Sequence, residues 1–413
     1  MMVEAQLSTS GLAPLAIAHR LGFEVVFVTN ERDRYVGIST YPGLLDTCVS
    51  QVVVGDTNSV DGILAAVAPW SAGSRLAGLY THCDYNLPLV AAAARRLGLP
   101  GLDPRAAEIA RDKLTTRQVC ADAGIPAPAH VHAATPAEAV AAGRQLGFPC
   151  VVKPMTESAS TGVSKAMSED DLARRFGELT ASAVDARGQR RRPGVLVEEY
   201  ALGYEVSVES VTFRGRTQVL GVTQKTLSGA PYFAELGDTF PSPLPPAVTE
   251  QLARTAVAAL EAIGFDFGAA HTEIKMTRDG PKLIEINARI GGAEVADCVE
   301  LATGITYREQ VVRMHVGQVP DLVATRSRAA AARYVAARQA GKVRTVHGVD
   351  LAHQVPGVVD VEIHAHPGDV VALPTSNHEL CGHVLASADT PAEAAAQAET
   401  ACSQIYIEVV EGP

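Results

Sequence analysis

Between residues 271 and 292 the chain reads His271-Thr272-Glu273-Ile274-Lys275, a break, then Glu285-Ile286-Asn287-Ala288-Arg289-Ile290-Gly291-Gly292. Two alternating stretches flank Asp279-Gly280, a strong hairpin signal. If the loop is Arg278-Asp279-Gly280 with Gly280 left-handed, Glu273 lies directly opposite Glu285. A two-residue Asp279-Gly280 turn would instead put the glutamates on opposite faces. In the first register, alternation gathers Glu285, Asn287 and Arg289 beside His271, Glu273 and Lys275. Like charges directly opposed are destabilising on their own. Two carboxylates and a carboxamide in one patch form a hard-oxygen site suited to Mg²⁺, with cations nearby for phosphate. Acidic residues on a solvated sheet face are the plain alternative.

Other constellations need the same weighing. Lys153 ends the apolar stretch before Ser158-Ala159-Ser160-Thr161-Gly162. Small residues with a glycine let backbone N–H groups and hydroxyls wrap phosphate oxygens while a lysine supplies charge. No Gly-Lys-Ser/Thr is present here, so this is not a Walker loop. Taken alone, it is as readily an ordinary loop. Glu198-Glu199-Tyr200-Ala201 and Glu205, beyond Gly203, place carboxylates where they can accept from an adenine amine and ribose hydroxyls. An exposed acidic strand end reads equally well. Arg111-Asp112-Lys113, inside a helix predicted over 104–124, reads by default as a solvated face. Arg190-Arg191-Arg192 reads as a solvated loop. His378-x-x-Cys381-x-His383 lacks a second compact ligand pair, so ordinary surface and core histidines are expected.

The elements that must position these residues follow from pattern. At 413 residues the chain exceeds one core, and two to four domains are expected. A net charge of -11 argues against a nucleic-acid surface. Seven dispersed cysteines without a CxxC pair, and no signal-like N-terminus, predict reduced thiols in a cytoplasmic protein. No apolar run is long enough for a membrane span. Strands near 3–7, 24–29, 51–54 and 76–80 alternate with helices at 11–21, 61–68 and 87–97, predicting a doubly wound parallel sheet. The loop Ser8-Thr9-Ser10-Gly11 is not a dinucleotide fingerprint. A second α/β unit covers 136–200, long strands form a hairpin across Arg214-Gly215, and a helix at 246–263 leads into the acidic site. Beyond residue 320 the pattern predicts a small α+β lobe.

The ordered set is a helix lysine, a strand lysine, a small-residue loop, a Glu-Glu-Tyr hinge and Glu-x(11)-Glu-x-Asn-x-Arg. It resembles the ATP-grasp superfamily over nearly the whole chain, in "ARDKLTTRQVCADAGIPAPAH", "GFPCVVKPMTESASTGVSKAMSEDDL", "VLVEEYALGYEVSVE" and "GAAHTEIKMTRDGPKLIEINARIGG". "LPGLDPRAAEIARDK" and the C-terminal segment are most similar to the L-amino acid ligase (dipeptide synthetase) branch. The resemblance implies an α/β protein with the ATP-grasp fold: an N-terminal doubly wound (pre-ATP-grasp) parallel-sheet domain over 1–108, an ATP-grasp domain over 109–320 with a mobile lid at about 135–200, and a C-terminal α+β lobe over 321–413.

It also implies roles. Lys113 and Lys153 hold ATP phosphates, and Ser158, Ser160, Thr161 and Gly162 belong to the lid loop. Glu198, Glu199, Tyr200 and Ala201 line the adenine pocket, and Glu205 approaches the ribose. Glu273, Glu285 and Asn287 carry Mg²⁺, with Mn²⁺ as the alternative ion. Arg289 and Lys153 act in catalysis, and Glu235, Asp238, His271, Arg289, Gly291 and Gly292 contact the substrates. Asp238 stands where the branch often has a histidine facing the amino-acid pocket, so Glu235 and Asp238 are expected to favour an ammonium-bearing group. The implied reaction joins two amino acids, or an amino acid and an amine, through an acyl phosphate, in a homodimer that uses small-molecule substrates. The rivals are an ATP-grasp carboxylase or purine-pathway ligase, and a non-catalytic ATP-binding module.

Overall fold

The computed structural model describes residues 1–7, 9–36, 43–71 and 76–410. Ser8 lies outside them. At the N-terminus Met2–Val3, Val26–Thr29 and Gln51–Val54 form a parallel sheet, and Tyr80 adds a parallel bridge to Met2. Alternate residues serve opposite faces: Val26 and Val28 pack with Ile63 and Val67, while Phe27 packs with Leu12 and Leu15. Both faces are therefore covered, as a parallel sheet requires.

The expected single helix over 104–124 is two helices, Pro104–Arg111 and Lys113–Asp122. Asp112 is extended (φ -102°, ψ 107°), and its carboxylate caps the second helix by accepting from Thr115 N. The break turns Lys113 inward, where it is buried. The triplet read as a solvated face is thus the entrance to the site.

An eight-stranded sheet forms the body, in the spatial order Gly280–Asn287, Gly268–Thr277, Tyr204–Phe213, Arg216–Leu227, Glu235–Phe240, Ala329–Ala336, Leu380–Ala388, Val358–Ile363. All neighbours are antiparallel. The C-terminal segment is consequently no detached lobe, because Gly237–Phe240 pairs directly with Ala330–Arg333. Ala329–Ala336 is a strand without a strand-like sequence, since alanine has little β preference. Its small side chains let the helix Pro391–Gln404 approach closely, with Ala329, Ala331, Ala386, Ala388, Ala394 and Ala398 in one cluster. Val370–Val371, Gly341–His347 and Tyr406–Val410 make a separate three-stranded sheet.

A four-stranded antiparallel sheet (His130–Ala133, Val195–Glu199, Cys150–Lys153, Ser164–Ala166) carries the helices Pro136–Leu146 and Glu169–Thr180. It has its own core around Val152, Leu172, Phe176 and Val197. Its loop at 185–189 docks on the N-terminal domain: Arg187 Nη1 lies 3.2 Å from Glu4 Oε2, and its Nη2 donates to Ala5 O at 2.7 Å.

Candidate active site

The acidic hairpin reaches the expected register by an unexpected route. Thr277 pairs with Gly280, so the turn is Arg278-Asp279 and Gly280 (φ 110°) already belongs to the strand. A straight ladder from that turn would place Glu273 opposite Ile284. A bulge at Ile284 shifts the register, and Glu273 pairs with Glu285 while His271 pairs with Asn287. The bulge lets Leu283 and Ile286 both enter the core and leaves Glu285 and Asn287 on the cavity wall.

This wall belongs to a cavity of about 780 Å³ bounded by the central sheet, the four-stranded unit and the N-terminal domain. Lys113 Nζ lies 3.1 Å from Glu285 Oε1 and donates to Glu157 O at 2.8 Å. Lys225 Nζ lies 3.0 Å from Glu273 Oε1 and 2.8 Å from Glu235 Oε2. Burial opposes ionisation of both partners, but their mutual attraction prevails: Lys225 is held well above the usual lysine value and Glu273 well below the carboxylate range. His271 bridges Glu273 (3.3 Å) and the buried Glu209 (2.8 Å). Burial lowers its pKa, yet Glu209 and Glu273 carry it to about 9, so the ring is cationic at neutral pH.

Each opposed glutamate therefore already has an ammonium partner, and the patch offers only hard oxygen donors. Such a set fits a divalent cation bound through oxygen.

On the facing side Lys153 Nζ lies 2.7 Å from Glu198 Oε2, and Arg117 Nε lies 2.9 Å from Glu198 Oε1. Glu198 touches the cavity, but its carboxylate is committed to these two cations, which hold its pKa down despite burial. Glu199 pairs with Lys282, and Glu205 lies 3.2 Å from Lys275. Tyr200 stacks on Phe233 (centroids 6.2 Å) beneath Lys165, whose Nζ is 4.1 Å from the ring centre. An aromatic pair, Ala201 and an acid thus share one end of the cavity.

In the small-residue loop, Ala159 (φ 56°) and Ser160 (φ 58°) are consecutive left-handed non-glycine residues, with Gly162 at φ 73°. Such strain persists where the surroundings enforce it and is common at ligand clamps. Thr161 Oγ1 is buried with no hydrogen-bond partner among the described residues. A loop with an orphaned hydroxyl, flanked by Lys153, fits phosphate oxygens.

Arg289 is held bidentately by Asp84, Nε to Oδ1 at 2.6 Å and Nη2 to Oδ2 at 2.8 Å. Asp84 also accepts from Ser158 Oγ at 2.6 Å, so an N-terminal residue joins the arginine to the loop. Burial raises the Asp84 pKa, but Arg289 outweighs it and the acid stays ionised. Gly292 lines the cavity; Gly291 does not, passing so close to His271 that a Cβ would lie 2.9 Å from Nδ1.

Several expectations change. Asp238 does not reach the cavity wall: it is fully buried behind Glu235 and Tyr334, whose hydroxyl donates to its Oδ2 at 2.7 Å. Burial and Glu235 push its pKa well above the usual carboxylate value, which favours the neutral acid over the anion expected there. The Arg190–Arg192 run is not simply solvated, since Arg191 pairs with Glu157 and Arg192 with Asp112 at 2.9 Å. Cys381 turns into the C-terminal core while His378 and His383 face the cavity, so that spacing builds no site.

Reading the sequence missed Arg117, Asp84, Glu209 and Lys225. Arg117 had a signal, one helical turn after Lys113. The others meet their partners only through tertiary pairing.

Known proteins supply the remaining comparison. The model of the ATP-grasp domain matches residues 146–297, that of the ATP-grasp N-terminal domain 15–101, and that of the L-amino acid ligase C-terminal domain 2 residues 333–410. A D-alanine–D-alanine ligase of Pseudomonas entomophila is 30% identical over 242 residues, covering 56% of this chain and 70% of that protein. Human carnosine synthase 1 is 30% identical over 273 residues; the match covers 62% of this chain but only 32% of that protein, about a third of its length. The crystal structure of an L-amino acid ligase from Bacillus licheniformis superposes with a TM-score of 0.83 at 23% identity, covering 99% of this chain and 98% of that one. With these matches and the geometry of the site, the chain belongs to the ATP-grasp superfamily of ligases.

Proposed function

We propose that the protein is an ATP-dependent ligase that joins the carboxylate of one amino acid to the amine of a second, releasing ADP and phosphate. The observation that carries this reading is the opposed Glu273–Glu285 pair, with Asn287 beside it, in one cavity with Lys113 and Lys153. The L-amino acid ligase type of the C-terminal domain supports the amino-acid substrates.

A carboxylate is a poor acylating agent because its leaving group would be oxide. Transfer of the γ-phosphoryl group gives an acyl phosphate, from which phosphate departs readily. Lys113 and Lys153 would hold the phosphates, and Glu198, pinned by Arg117, would fix Lys153 in place. Tyr200, Ala201 and Glu205 would receive the adenosine. Glu273, Glu285 and Asn287 would hold Mg²⁺ (or Mn²⁺), which when bound supplies positive charge to the transferring oxygens. Arg289, aligned by Asp84, would stabilise the acyl phosphate and the oxyanion formed on amine attack. The loop at 158–162 would close over the site, because water would destroy the intermediate. A homodimer in the cytoplasm is part of the same proposal; among the described residues no helix is long and apolar enough to cross a membrane.

The test is ADP and phosphate release with mixed amino acids and none without them, followed by mass spectrometry of the products. Release with bicarbonate alone would favour a carboxylase. No release under any condition would favour a binding module.

A further inference from the structure

Activation of the carboxylate leaves the second half of the reaction without a proton acceptor. An amino acid meets the site as an ammonium ion, which has no lone pair to attack with. The lysines and arginines around the phosphates are committed to carboxylates, and Glu273 and Glu285 are taken up with the cation site. A group on the amine side must accept a proton.

Glu294 stands two residues beyond Gly292, where the chain after Arg289 enters the helix Val295–Thr303. It lines the cavity at 6% exposure. Its Oε1 lies 3.3 Å from His383 Nδ1, and His383 Nε2 lies 3.1 Å from Asp360 Oδ2. His383 comes from the strand Leu380–Ala388 and Asp360 from the neighbouring strand Val358–Ile363. The Asp360 side chain is 55% exposed, so the three groups run from the cavity wall to solvent. Asp297 and Arg308 face Glu294 from the helix side, and Glu362 and His364 face the pair from the strand side. Burial pushes the Glu294 acid up to about 7, against the pull of His383. Burial lowers His383, but Asp360 and Glu294 outweigh it and hold the ring above its ordinary value. A base that titrates near neutral pH is best matched to proton transfer at that pH.

From this geometry we infer that Glu294 is the proton acceptor for the attacking amine, with His383 and Asp360 as the outlet to solvent. The inference rests on the ligase reading above. One N–H proton passes from the ammonium to the Glu294 carboxylate. The freed lone pair forms the C–N bond, and the C–O bond to phosphate breaks with its electron pair on the leaving oxygen. The remaining extra N–H proton leaves with that phosphate as hydrogen phosphate. Glu294 returns its proton through His383 to Asp360 and water. Glu294 is catalytic in this scheme; His383 is a positioning and relay residue.

Hydroxylamine provides the test, because at neutral pH it is largely unprotonated and traps acyl phosphates as hydroxamates without a base. The full-length protein is assayed with ATP and an equimolar mixture of amino acids, with and without hydroxylamine. In Glu294→Gln, amide formation at pH 7 should fall by about 100-fold or more, while hydroxamate formation stays near that of the native protein. Amide formation should recover as pH rises towards the amine's own ionisation. Equal loss of both products, or unchanged amide formation, overturns the assignment. A native protein that makes no hydroxamate at all fails the ligase reading itself. His383→Asn gives a second measure: removing the cation raises the Glu294 pKa, so the acidic limb of the pH–rate profile moves to higher pH. An unmoved limb overturns the relay.

Discussion

Lys225 is the ammonium group on which the buried acids of the floor converge, touching Glu235 and Glu273 and lying opposite Asp238 in the strand pairing. Removing one member of a buried ion cluster leaves the others uncompensated. Lys225→Met is accordingly expected to lower stability by about 3–5 kcal/mol, measured by urea unfolding. Asp238 behaves oppositely. Because burial and Glu235 favour its neutral form, Asp238→Asn should unfold within about 1 kcal/mol of the native chain; a much larger loss would show that the acid is charged. At this scale the sequence was legible where chemistry and alternation coincide, as at Glu273, Glu285 and Lys153. It was mute at Asp84 and Glu209, whose roles arise from partners 205 and 62 residues away.

Asp112 and Ile284 show how single residues re-aim whole elements. Asp112 ends one helix and caps the next, so that Lys113 points into the cavity. Asp112→Ala should cost about 1 kcal/mol of stability through the lost cap and should raise the KM for ATP by misplacing Lys113. Unchanged KM would separate the cap from the site. The helical pattern across 104–124 concealed this break, because a charged triplet carries no periodicity signal of its own. The hairpin was legible in kind but not in detail. Its turn is one residue shorter than the Arg278-Asp279-Gly280 loop expected, and the bulge at Ile284 compensates. Apolar Leu283 and Ile286, three apart, are the visible trace of that bulge in the sequence: strict alternation cannot bury both.

Across the molecule, the cavity closes only because the N-terminal domain, the four-stranded unit and the long sheet meet. Arg187 fastens the second of these to Glu4 and Ala5 of the first. Under the ligase reading, Arg187→Ala should admit water to the acyl phosphate, so that phosphate released per amide formed rises above one. A ratio that stays at unity would contradict a latch. His82 couples this assembly to pH. It is fully buried, and burial lowers its pKa to about 3, with Arg289 and Arg308 adding to the shift. The unfolded chain binds the proton and the folded one does not between that value and about 6.5. Stability therefore falls as pH drops through this window, by about 2 kcal/mol from pH 7 to pH 5 for this group; His82→Gln should flatten that part of the profile. The order of domains was legible in the sequence, but the merging of the C-terminal strands into the central sheet was not, because an alanine-rich strand lacks the branched residues that announce one.

The central claim is that ATP activates a carboxylate before the amine attacks, and the fate of one oxygen atom tests it most directly. An amino-acid mixture carrying heavy oxygen in its carboxylates is incubated with the protein and unlabelled ATP, and the released phosphate is weighed by mass spectrometry. Passage through an acyl phosphate predicts one labelled oxygen in each phosphate released with an amide bond. Phosphate that stays unlabelled while amide accumulates would contradict it.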